Sequence, residues 1–581
     1  MENYIENCGE TPVGFIEKEI GNDPNFVFSP DKSFGQKSMW DFEGNTVTVN
    51  SYQECIHYVK GGWRNDIDHI FFASDSVENS SILLFILLVP IFVILNKKIR
   101  SKIQNFFNNY KFSSKLFISL IPYLIVSPIY LNIINKIRLR GVYFTIFSEE
   151  ANIKYISLSL SFLFFYLIAK YINETFNLRS LSLAISYFLI SFYIFDSIFL
   201  YFSKEKSFEF TFLLVNFIWF VLVFVKNRDY RILAALMGSY FSMQYFNSIN
   251  YQYLSNKVTY QIKNYDVVKQ WEPIAKSIAD QNLFFAINVN LIEGYGFLIS
   301  YIQVVISKFL FFNYSFEFMN VNANILLVLT LLLIFDLEIS HTNKFLLFSA
   351  FCLVILDDGW LRFLIIDSLM LEGIVSFLFA SFVVNIKKID FERKNSYSPN
   401  IFLFFLSCLI FSKQFIGLLT VLILIWLCLK TKRFSLLLSA LGLSLIKYLY
   451  QNLLSISKSN IQYVDGLDLR DLISDFLLFR DIELKNIRVI FEKLIEYKPM
   501  AYILFLFLLL FLFNTFYKSQ NNDILNFALI FGNILLILLL YISWWKQIET
   551  DSSYRYIMNT IHLIFISAFI ELDKLQKRLV S

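Results

Sequence analysis

Charge is scarce in this chain of 581 residues: Asp, Glu, Lys and Arg together make up 17% of it, against about 25% in a soluble globular protein. That shortfall excludes an ordinary soluble enzyme. Histidine is scarcer still. His57, His69, His341 and His562 are scattered, and no HExxH spacing sets two of them on one helix face to hold zinc. No P-loop, no GxGxxG turn and no CxxC pair occurs, so neither an internal ATP motor nor a metal cage is expected. The net charge of +4 is too small to mark a nucleic-acid face. The opening MENYIENCGE lacks a basic-then-apolar start, so no cleavable signal peptide is expected.

What the chain does have is hydrocarbon. Hydrophobic residues make up 56% and aromatic residues 19%, gathered in blocks such as SSILLFILLVPIFVILN and YILFLFLLLFLFN. A helix of about 20 apolar residues crosses a bilayer core, and in lipid the backbone must satisfy its own hydrogen bonds. The expected fold is an all-α polytopic membrane protein of about 15 transmembrane helices. Interfacial helices in external loops and a small β-containing N-terminal segment complete it.

Residues 1–80 are polar and acidic, and WDFEGNTVTVNSY alternates like a strand after a Gly-Asn turn. The cluster KKIRSKIQNFFNNYK after the first apolar block belongs in the cytoplasm by the positive-inside rule, which puts residues 1–80 outside. There Cys8 and Cys55 can pair. Cys352, Cys408 and Cys428 lie in apolar blocks and read as small core or lipid-facing residues. Residues 81–249 hold the first spans, 250–316 an external loop with amphipathic and juxtamembrane helices, and 317–450 the transmembrane core. Residues 451–499 form a second external loop with amphipathic helices, and 500–581 the last spans and a cytoplasmic tail. Charge parity makes GYGFLISYIQVVISKFLFF re-entrant or interfacial and leaves NKIRLRG as the one basic cluster on the wrong side. Lys413 sits mid-way in FLFFLSCLIFSKQFIGLLTVLILIWLCL. Held at the bilayer centre it would cost about 2.5–3.5 kcal/mol, so this block is expected to be a hairpin with Lys413 at its tip.

Three places invite chemistry. Asp266 opens a segment whose stripe of Val267, Trp271, Ile274 and Ile278 lets it rest on the bilayer. The carboxylate is either an N-cap or a general base at the membrane surface. In LDDGWLRFLIIDSLMLEG, Arg362 either pairs with Asp358 four residues away or joins Asp367 and Glu372 in a site, since acids inside spans are costly. In SWWKQIETDSSYRYIMN, Arg555 is either a snorkelling headgroup anchor or a bidentate clamp for a lipid phosphate.

The order of these pieces resembles the GT-C superfamily of polytopic glycosyltransferases, over roughly residues 250–572. Asp266, Trp271 and Ala275 look like the acidic external-loop pattern of its mannosyl- and aminoarabinosyl-transferase-like members; EGYGFLISYI is similar to their juxtamembrane helix but lacks its proline. LIFSKQFIGLLTVLIL resembles the family's lysine-tipped hairpin, and SSYRYIMNTIHL its final Arg-Tyr. The resemblance implies an inverting transferase at the outer face of a bacterial inner membrane, with a polyprenyl-phosphate sugar as donor, a lipid or glycan as acceptor, and no certain cofactor or metal. It implies Asp266 as the base, with Glu272 and Asp280 as alternative acids. Lys413 and Arg555 would meet the leaving phosphate, and Arg362, Asp367 and Glu372 the sugar. Two features depart from the pattern: about six spans precede the acidic loop, and Val267 stands where a second acid is usual. A transporter or flippase for lipid-linked glycans is the alternative, and the lack of an internal repeat disfavours it.

Overall fold

The structure is a computed structural model. It describes residues 37–40, 46–51, 54–55, 57, 123, 149–202, 207–227, 230–255, 272–283, 297–310, 323–356, 372–389, 398–412, 414–431, 498–516, 524–543 and 557–580. The chain divides into two compact units, Met1–Leu95 with Ile129–Ser148, and Asn96–Pro128 with Glu149–Ser581.

In the first unit, β1 (Lys37–Trp40) pairs antiparallel with β2 (Thr46–Val49), Trp40 opposite Thr46. The alternation in TVTV sets Val49 inside and Thr48 out, the period-two pattern of a half-buried strand. Ser51 and Glu54 then cap a helical turn: Glu54 N–H donates to Ser51 Oγ, and the Glu54 carboxylate accepts from Asn50 N–H. Cys55 on that turn is disulfide-bonded, and its sulfur lies 3.8 Å from Met39 Sδ. Cys8, its expected partner, lies outside the described residues.

The described part of the second unit is helical: α1 Glu149–Phe176, α2 Leu181–Phe202, α3 Phe208–Asn227, α4 Tyr230–Ser255, α5 Glu272–Asp280, α6 Leu298–Leu310 and α7 Ala323–Asp336. There follow α8 His341–Leu356, α9 Glu372–Asn385, α10 Ser398–Cys408, α11 Gln414–Thr431, α12 Lys498–Phe516, α13 Ile524–Ser543 and α14 Ile561–Val580. Within it Ile156–Phe176, Leu181–Phe199 and Phe208–Lys226 are long and apolar enough to cross a membrane, and six further apolar stretches are shorter. The interior is apolar, yet large apolar side chains also lie on the outside and small hydroxyls lie within. Leu213, Phe217, Leu429 and Phe505 are exposed, while Ser182, Ser186 and Ser381 are buried. Small hydroxyl residues let helices approach closely in lipid, and Ser186 of α2 donates to Ser381 of α9 at 3.2 Å.

One end of this bundle is tied by charges that complete helix termini. A helix leaves its first N–H and last C=O groups without intrahelical partners. Ser180 caps α2, accepting from Leu183 N–H, and the Asp336 carboxylate from the end of α7 takes Leu181 N–H and Ser182 N–H at 2.8 and 2.7 Å. The same device recurs at α8: Ser340 accepts from Asn343 N–H, and Asp573 of α14 takes Ser340 N–H at 2.9 Å and Asn343 Nδ2 at 2.7 Å. Lysines serve the carbonyl ends. Lys226 reaches Glu174 O and Thr175 O at the end of α1, Lys344 reaches Phe335 O, and Lys388 reaches Asp336 O. Asn177 closes α1 in the left-handed region at φ 52°, as a residue following a helix commonly does.

Burial pushes the Asp573 carboxyl up, but Lys577, Ser340 N–H and Asn343 outweigh it and hold the group below the usual aspartate range. A depressed carboxylate contributes stability above its unfolded pKa and loses it as pH falls through the folded value. Asp573→Asn should therefore lower the melting temperature in detergent at pH 7, and the gap to wild type should close as pH drops below about 4. A gap independent of pH would assign the effect to packing instead.

Candidate functional site

The lysine-tied end contains the C-termini of α1, α3, α7 and α14 and the N-termini of α2 and α8. Chain direction therefore fixes what gathers at the opposite end. That end receives the C-terminus of α2 and the N-termini of α3, α7, α9 and α14. It also receives the tip between α10 and α11. Phe405 stacks on Tyr187 and Phe411 meets Tyr193 one turn or more further along α2, so α10 runs parallel to α2.

At this opposite end α5 is docked by a buried acid that the sequence reading passed over. Asp196, near the end of α2, accepts from Thr211 Oγ1 at 2.7 Å, and Leu283 N–H just past α5 and the Tyr301 hydroxyl of α6 lie beside it. Phe208 N–H donates to Gln281 O at 2.7 Å. These two bonds tie α2 to α3 and α3 to the segment after α5, with α6 beside the same carboxylate. The signal was a lone acid in ISFYIFDSIFLYF, since an acid inside a span is placed for a reason.

The amphipathic stripe of α5 faces protein. Ile274, Ala275 and Ile278 are buried, and the helix packs on α3 and α6; the expected bed of lipid is replaced by these two helices. α6 is buried along 12 of its 13 residues. At about 1.5 Å per residue it is too short to cross a bilayer core, and it is internal to the bundle rather than laid on a surface.

Of the expected acids, Glu272 opens α5 and Asp280 closes it, exposed. Asp266 lies outside the described residues. Lys413 does too, but its flanks are clear: α10 runs into a 3-10 turn, Leu409–Phe411, and α11 begins at Gln414. One helical segment therefore ends by Ser412 and the next begins at Gln414. A Cβ on Gly417 would lie 3.1 Å from Ile410 O, so glycine is what lets α11 pass this close to the turn. Phe411 contacts Tyr193, and Tyr193 contacts Tyr301, which links the hairpin tip to the Asp196 corner.

The second corner lies between α9 and α14. Glu372 begins α9 and is fully buried. One turn on, Ser376 Oγ accepts from His562 N–H and sits 3.0 Å from His562 Nδ1. His562 Nε2 is 3.0 Å from Thr330 Oγ1, whose own proton goes to Leu326 O. Thr330 must accept, so Nε2 carries the ring hydrogen, and full burial disfavours a charged ring. His562 thus pins three helices together, and a 3-10 turn, Met558–Thr560, leads into α14. Arg555 lies two residues before the described Ile557; Arg362 and Asp367 also fall outside the described residues. Among the described residues no group of three His, Cys, Asp or Glu side chains is placed to hold a metal.

An apolar cavity of about 450 Å³ opens between α1, α3 and α4, with Phe164, Phe188, Phe212, Phe217, Trp219 and Phe309 among its walls. Phe309 belongs to α6, whose first turn carries Tyr301. The hydrocarbon-lined space therefore ends on the helix that touches the Asp196 corner.

No protein-family model, curated protein or solved structure matches the chain.

Proposed function

We propose that this chain is a membrane glycosyltransferase that moves a sugar from a polyprenyl-phosphate donor to a lipid or glycan acceptor. One observation carries the reading. α5, the Lys413 hairpin, Glu372 and the start of α14 all lie at the end of the bundle opposite the lysines. These elements bear or flank the expected acid, both expected cations and a sugar-contacting carboxylate. By the positive-inside rule the lysine-tied end is cytoplasmic. The disulfide at Cys55 fits an oxidising compartment for the first unit. The chain then has about 15 spans in a bacterial inner membrane, with its site facing the periplasm.

In this reading Asp266 takes the proton of the acceptor hydroxyl as its oxygen attacks the anomeric carbon. The bond from that carbon to the phosphate oxygen breaks, and polyprenyl phosphate leaves with the electron pair. Lys413 and Arg555 meet the charge that develops on the phosphate, as preorganised cations do. Arg362, Asp367 and Glu372 hold the sugar, and the apolar cavity gives the donor's hydrocarbon tail a dry seat. Asp196 keeps α5 in place without touching the reacting atoms.

The test uses the purified full chain in detergent, with undecaprenyl-phosphate hexoses and pentoses as donors and a membrane lipid extract as acceptor. Release of undecaprenyl phosphate is expected with at least one donor. A chain that releases none in detergent but moves labelled donor across sealed vesicles is a flippase.

A further inference from the structure

Asn559 is fully buried in the 3-10 turn before α14, and neither its amide oxygen nor its amide nitrogen has a hydrogen-bond partner. Native folds leave few such groups unmet. Thr560 Oγ1 accepts from Asn533 Nδ2 at 3.1 Å, and His562 is bonded on both ring nitrogens.

The His562–Ser376 contact sets the register of the α9–α14 seam. Asn559 precedes His562 by three residues along continuous helical backbone, and residues three apart on a helix share a face. Glu372 precedes Ser376 by four, one turn back on the same face of α9. Asn559 and Glu372 are therefore the next rung of the seam, toward the end of the bundle that holds α5 and the Lys413 hairpin. α9 packs against the turn that carries Asn559, and both residues are fully buried.

We infer that Asn559 and Glu372 form a subsite for paired hydroxyl groups, those of the sugar ring on the lipid-linked donor. The Asn559 Nδ2 donates to a hydroxyl oxygen, while its Oδ1 and the Glu372 carboxylate accept hydroxyl protons. This assignment rests on the glycosyltransferase reading and adds a sugar-specificity residue that the sequence did not single out. Glu372 alone would accept from any hydroxyl. The amide adds a directed donor, so the pair discriminates between ring stereoisomers.

The test compares binding of undecaprenyl phosphate with binding of its sugar conjugates to the full-length protein in detergent. Wild type should bind one conjugate more tightly than the bare phosphate lipid. Asn559→Leu should weaken that conjugate about tenfold, the loss of one to two neutral hydrogen bonds, with affinity for the bare lipid unchanged. Its melting temperature should equal or exceed that of wild type, because an unmet amide has been removed. A conjugate preference that survives Asn559→Leu overturns the subsite. So does a lowered melting temperature in both Asn559→Leu and Asn559→Ala, which would make Asn559 a structural support. Should wild type bind neither lipid, the glycosyltransferase reading fails and the subsite falls with it, whereas binding that shows the preference in both wild type and Asn559→Leu overturns the subsite alone.

Discussion

Asp266→Asn is expected to slow sugar transfer by about 10²–10⁴-fold, the usual contribution of a positioned general base, with the melting temperature unchanged. Asparagine separates the two roles open to this residue. It caps a helix N-terminus as well as aspartate does, so a purely structural Asp266 would tolerate the change in full. It cannot accept the acceptor's proton, so a catalytic Asp266 would not. Transfer rates and melting curves measured on one preparation decide the matter. Full activity removes Asp266 from the mechanism. Parallel measurements on Glu272→Gln and Asp280→Asn locate the base if it lies elsewhere on this segment. Asp280, exposed at the last position of α5, is expected to tolerate its change.

The second large effect is on stability. Asp336→Ala should destabilise the bundle by about 3 kcal/mol. Its carboxylate accepts from Ser180 Oγ, Leu181 N–H, Ser182 N–H and Ser182 Oγ, all at 2.8 Å or less. Removing it strips the first turn of α2 of its acceptor and of a negative charge at the positive end of the helix dipole. Hydrogen bonds to a charged group are worth about 1.5–3 kcal/mol each, but they share one part-buried carboxylate, which keeps the total well below their sum. Asp336→Asn keeps one acceptor oxygen and turns an NH₂ toward donors, so it should lose roughly half as much. Thermal unfolding in detergent reads both variants. A loss under about 1 kcal/mol for Asp336→Ala would mean that water replaces the carboxylate at this helix end.

Much of the helical architecture was legible because lipid leaves the backbone so few choices. The stretches expected to hold spans, 81–249, 317–450 and 500–581, contain α3, α11 and α13 among their described helices. Lys413 marked a break for the same reason, since a cation in hydrocarbon forces the chain to turn. TVTV gave a strand from alternation alone. The cross-helix caps were not legible. Asp336 and Asp573 lie in unremarkable polar stretches, and their partners are 154 and 233 residues away. Asn559 was hidden too, because an unmet amide is a property of its surroundings.

Composition and periodicity by themselves determined that the described part of the second unit is made of apolar helices, because unbroken hydrocarbon blocks lack the alternation that a closed barrel needs. They also determined which residues carried enough chemical cost to be worth suspecting. Tertiary packing decided that α5 lies against α3 and α6 instead of lipid, and that His562 is a neutral pin among three helices. It also decided which helix ends share one end of the bundle. Those outcomes turn on contacts between segments hundreds of residues apart, whose energies depend on distance and burial that no local pattern encodes.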